Sequence, residues 1–79
     1  MAQARTISAV EITKRYSLSY QTVNYYTNLG LLHVIENQGN KRLYDSREVE
    51  ERLDSIKQMK SRGYPLRLIR DEISNKLKR

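Results

Sequence analysis

The chain has 79 residues, enough for one small core near the lower limit for folding without covalent or metal staples. It contains no cysteine and a single histidine, His33, which excludes disulfides, thiolate metal centres, thiol redox sensing and any metal site built on histidine clusters. A net charge of +6 and a pI near 9.8 favour a polyanionic partner, nucleic acid before acidic membranes or acidic proteins. No apolar run approaches membrane-spanning length and no charged-then-apolar leader is present, so a soluble, non-secreted protein is expected.

Residues 1–6 lack a hydrophobic pattern and are expected to form a flexible tail ahead of a single domain. Ser8-Ala9-Val10-Glu11 then reads as a capping box, the hydroxyl and carboxylate satisfying first-turn donors reciprocally. A helix over about 8–16 follows, burying Ala9, Ile12, Thr13 and Tyr16 at helical spacing. Only Ser17 and Leu18 separate it from the next helix, about 19–29, so the two must cross steeply as a helix-turn-helix.

That second helix has its own start and stop signals. Ser19 is the N-cap, Leu18 and Val23 have the spacing of a hydrophobic staple, and Gly30 supplies a left-handed residue at the end. At 100° per residue, Val23, Tyr26 and Leu29 share one arc with Thr22 and Thr27 at its margins. Tyr20, Gln21, Asn24, Tyr25 and Asn28 share the other, which carries amides and phenols but no charge. Asn and Gln can pair with an adenine edge through two hydrogen bonds, and Tyr hydroxyls reach phosphates. An uncharged solvated face is the plainer alternative.

After Gly30 the period changes. Leu31–Ile35 is apolar, residues 36–40 form a turn cluster, and Lys41–Tyr44 resumes alternation, predicting a hairpin over about 32–44. Beside a helix-turn-helix such a hairpin is a wing. It places Asn40, Lys41 and Arg42 near the second helix, with Lys14 and Arg15 on the preceding one, for phosphate or minor-groove contact. Solubilising charges on an edge strand would look the same.

Asp45-Ser46-Arg47-Glu48 is a second capping box, opening a helix over about 46–62. Val49, Leu53, Ile56 and Met59 form its apolar stripe. Glu50, Glu51, Arg52, Asp54 and Lys57 form a solvated face suited to i,i+3 and i,i+4 ion pairs. Gly63 ends it, and Pro65 opens a fourth helix over about 65–77. Leu66, Ile69, Ile73 and Leu77 lie on the inner face of that helix, with Arg67, Arg70 and Lys76 outside. The fold class is thus mainly α with a small β-hairpin, a winged helix-turn-helix. No catalytic triad, carboxylate pair, phosphate-cradling loop or metal spacing occurs, so neither an enzyme nor a cofactor is expected.

Leu18 to Leu32 resembles the recognition segment of the MerR (mercury-resistance regulator) family, roughly V-S-x-x-T-[IL]-R-Y-Y-E-x-x-G-L-[IL]. Gly39–Asp45 is similar to the family's wing-to-helix signature, and residues 56–63 and 65–69 resemble its last two helices. The resemblance covers residues 8 to about 75 and joins four motifs in order. It implies a cytoplasmic bacterial transcription regulator that reads a pseudo-palindromic operator in double-stranded DNA as a homodimer, with RNA polymerase as a possible partner. It places Ser19, Tyr20, Gln21 and Thr22 at the major-groove end, Tyr25 and Tyr26 towards the phosphates, and Arg42 on the flanking backbone. The helical arcs turn Tyr26 to the core and so favour Tyr25. The family usually has Arg where this chain has Asn24, which removes a phosphate-binding charge: the amide either reads a base or leaves a site that binds DNA more weakly. Family members continue into a dimerisation helix and an effector domain, which favours a DNA-binding domain of a longer regulator over a stand-alone protein. Two other readings stay open: an excisionase-like architectural DNA-binding factor, and a winged-helix adaptor for an acidic protein surface.

Overall fold

The computed structural model describes residues 5–77, with side chains as far as Ile73. Its elements are β1 (Thr6–Ser8), α1 (Ala9–Tyr16), α2 (Tyr20–Asn28), β2 (Val34–Gln38), β3 (Lys41–Asp45), α3 (Ser46–Ser61) and α4 (Leu66–Leu77). The four helices and the hairpin stand where local signals place them. Residues 1–4 of the expected tail, and the side chains of Lys76 and Leu77, lie outside what is described.

Capping explains the helix starts. Ser8 accepts the Glu11 N–H at 3.1 Å while the Glu11 carboxylate accepts the Ser8 N–H at 2.9 Å. The Ser8 N–H first, and then the Ser8 side chain, hold the Glu11 carboxyl below the usual carboxylate range, and the charges of Arg15 and Lys41 add to the shift. A lowered folded-state value means the contribution is complete above the unfolded glutamate range and is lost as pH falls through the folded one. Glu11→Gln should therefore flatten the acid side of a melting-temperature profile, and an unaltered profile would remove the box from the stability account.

The helix ends close through left-handed residues. Gly30 at φ +84° and Gly63 at φ +88° each let the next N–H group reach back: Leu31 to the Tyr26 carbonyl at 2.9 Å, and Tyr64 to that of Met59 at 3.1 Å. In the α1–α2 turn the same conformation falls on Ser17, at φ 55°. A non-glycine residue there costs about 1–2 kcal/mol. That turn brings α2 across α1 after only three intervening residues.

Three expectations need correction. The hairpin belongs to a three-stranded antiparallel sheet in the order β1-β3-β2, so part of the expected tail is structured. Thr6 pairs with Asp45, Ile7 with Tyr44 and Ser8 with Leu43, and the Arg5 carbonyl accepts the Ser46 N–H at 2.8 Å. Ile7 is 1 % exposed, a core residue that the absence of any surrounding pattern conceals. Second, Asp45 caps α3 through the Arg47 and Glu48 N–H groups, but Glu48 does not reciprocate. Its carboxylate lies instead 3.4 Å from His33 and 3.5 Å from Arg52. Third, Arg52, expected in solvent, is largely buried and donates to the Leu31 carbonyl at 2.9 Å.

The core gathers Ile7, Ile12, Val23, Tyr26, Leu31, Leu32, Tyr44, Val49, Ile56, Ile69 and Ile73 from every element except the wing's outer strand. Tyr16, Leu18, Leu53, Met59 and Leu66 pack around it, partly buried. Tyr44 sits at its crossing point. On β3 it pairs with Ile7 of β1 on one side and Val34 of β2 on the other, and it is fully buried. The β2 strand leaves the core early: a bulge at Ile35 shifts its register, and everything from Ile35 to the Gly39-Asn40 tip is exposed.

Candidate nucleic-acid interface

Helix α2 has three faces rather than two. Val23 and Tyr26 are buried, and Tyr26, one of the expected phosphate contacts, is only 4 % exposed. Its three-residue spacing from Val23 commits it to the core, so it is a packing residue. Tyr20, Asn24 and Thr27 form a second strip at i, i+4, i+7 that meets β3. Gln21, Tyr25 and Asn28 form a third strip at the same spacing, and all three are exposed.

The strip against β3 is held by a ladder of polar contacts. Arg42 and Tyr44 are two apart on the strand and therefore point to the same side of the sheet. The Tyr44 hydroxyl lies 2.9 Å from that of Thr27, which donates its own proton to the Val23 carbonyl at 2.8 Å. Tyr44 is thus the donor to Thr27. One rung further along, the Arg42 Nη2 donates to the Asn24 Oδ1 and to the Tyr20 hydroxyl at 3.3 Å. The Arg42 guanidinium carbon also stands 5.6 Å from the centre of the Tyr20 ring, within cation–π range. Helix and wing are joined by side chains at both rungs.

These contacts sort the other expected residues. The Ser19 hydroxyl accepts the Thr22 N–H at 3.0 Å and meets the Thr22 hydroxyl at 2.8 Å, so both side chains are engaged in capping. Asn24, expected to face a base, is half-buried and turned to the wing. Lys14, Arg15, Asn40 and Lys41 are exposed. Among the described residues, no carboxylate lies within ion-pair distance of Lys14, Arg15, Lys41 or Arg42. The result is an uncharged hydrogen-bonding strip on α2, about half-exposed at Tyr25, with cations on α1 and the wing. Sequence reading missed the Tyr44–Thr27 and Arg42–Tyr20 pairings. Their signal lay in two spacings taken together, i, i+4, i+7 on the helix and i, i+2 on the strand.

Four helices, the first two joined by a three-residue turn, and a hairpin pinned to the second of them define a winged helix-turn-helix. A sequence profile described as MerR HTH family regulatory protein matches residues 7–76, nearly the whole chain. The chain therefore belongs to the MerR helix-turn-helix family, whose members are DNA-binding transcription regulators and not enzymes. No curated protein and no solved structure matches it significantly. Among the described residues no group of acidic, histidine or cysteine side chains could hold a metal ion, and no helix is long and apolar enough to cross a membrane.

Proposed function

We propose that the chain binds double-stranded DNA sequence-specifically, with α2 in the major groove and the wing on the flanking backbone. The observation that carries this reading is the strip of Gln21, Tyr25 and Asn28. These side chains are exposed and uncharged, they can donate and accept hydrogen bonds, and they are flanked by cations with no carboxylate paired to them. An ordinary solvated helix face carries Lys and Glu; amides and phenols instead offer the donors and acceptors that base edges and phosphates can pair with. Gln21, in the first turn, is the principal base reader because its amide can pair with an adenine edge. Tyr25 presents its hydroxyl to a phosphate, and Asn28 lies at the far end of the same strip. Lys14, Arg15, Lys41 and Arg42 supply backbone contacts, with Asn40 at the wing tip beside them.

A second copy of the chain would place two such helices on the halves of an inverted repeat, as the family's regulators require, in the bacterial cytoplasm and with RNA polymerase as the downstream partner. The test is duplex binding as a function of salt. Counterion release gives a logarithmic slope of about −0.9 per phosphate contact, so four cationic contacts predict a slope of roughly −3.6 for each bound chain. Weak binding with a shallow slope would favour an adaptor for an acidic protein surface instead.

A further inference from the structure

Among the described residues, every partner of the Arg42 guanidinium is electrically neutral. Asn24 offers an amide oxygen, Tyr20 a phenol oxygen and a ring face, and among the described residues no carboxylate pairs with it. Both hydrogen bonds use Nη2, which leaves the Nη1 and Nε protons of the fork unassigned. We propose that Asn24 and Tyr20 are positioning residues: they hold the wing arginine against the recognition helix with its charge intact, and Asn24 acts through Arg42 rather than on a base. This rests on the DNA-binding reading and deepens it.

The residue type at position 24 fits this task in a way its neighbours in chemistry would not. An aspartate would accept the same bond but would offset the positive charge that the phosphate needs. An arginine or lysine would offer no acceptor and would repel the guanidinium. An alanine would leave a long side chain to be ordered only when DNA arrives. Asparagine fixes the fork beforehand, so less side-chain freedom is lost on binding. The anchor also ties the reach of the wing to the axis of α2, so that the phosphate contact and the groove contact arrive in one register.

The first test needs no DNA. In the free protein, nitrogen-15 spectra of the Arg42 guanidinium should show separate, slowly exchanging Nη signals, and Asn24→Ala should collapse them to an average. Averaged signals in the wild type would overturn the proposal whatever the protein binds. With duplex DNA, Asn24→Ala should weaken all sequences alike, by about 2- to 10-fold, with the salt slope unchanged because no charge is lost. Asn24→Asp should weaken binding and reduce the slope by up to about 0.9. In an Arg42→Ala background, Asn24→Ala should have no further effect. An altered base preference for Asn24→Ala, or its full effect retained without Arg42, would overturn the positioning role. Failure of the wild type to bind any duplex would defeat the DNA-binding reading itself, while the resonance test would still decide whether Arg42 is held.

Discussion

Tyr44→Ala is expected to remove a large share of the stability of the fold. Tyr44 is fully buried, pairs in register with both neighbouring strands, and donates a hydrogen bond to Thr27 of α2. Truncating a large aromatic core residue costs about 3–5 kcal/mol. At about 0.05–0.15 kcal/mol per residue, a chain this short has roughly 4–12 kcal/mol in total. The loss would fall on β1, β2 and α2 together, since Tyr44 is where they meet. Tyr44→Phe keeps the ring and loses only one hydrogen bond, about 1 kcal/mol, because Thr27 still donates to the Val23 carbonyl. Denaturant titration of the two variants separates them. Equal small losses would show that the sheet does not depend on this ring.

Lys41→Ala combined with Arg42→Ala is expected to have the largest effect on binding. Both residues lie on β3, the strand of the wing that α2 grips, and no carboxylate among the described residues pairs with either. Removing two charge-assisted phosphate contacts should weaken duplex binding roughly 100-fold at low salt. The loss should be uniform over sequences, because phosphates carry no base identity. The salt slope should fall by about 1.8, the share of two phosphates. Fluorescence anisotropy over a salt series reads both quantities. An unchanged slope would place the wing away from DNA, and the two cations would then be solubilising charges on the sheet.

The parts of the fold that could be read from sequence are those whose causes are local. Ser8 with Glu11, Ser19 with Thr22, and the two left-handed glycines each act within a few residues, and each marks a helix end correctly. The change of period after Gly30 marks the hairpin in the same way. The β1 strand was illegible for the opposite reason. Three residues cannot show an alternation, and their partners lie at 43–45, nearly forty positions away. Glu48 shows a local rule losing to a tertiary one: the cap pattern is present, but His33 and Arg52 draw the carboxylate away. The site divides along the same line. That α2 carries an apolar arc and a polar arc follows from its sequence. That the polar arc splits, with Tyr20 and Asn24 gripping Arg42 while Gln21, Tyr25 and Asn28 stay exposed, depends on where β3 packs. Nothing in α2 alone specifies that.

Contact between the exposed strip of α2 and base edges is what makes this protein a sequence-specific binder. Selection of bound duplexes from a random pool, run in parallel on the wild type and on Gln21→Ala, tests this most directly. The wild type should enrich a short motif, and Gln21→Ala should lose preference at one position of it, a discrimination of about 1–3 kcal/mol, while the rest of the motif persists. An identical motif from both proteins, or no motif from either, would contradict the placement of α2 in the groove.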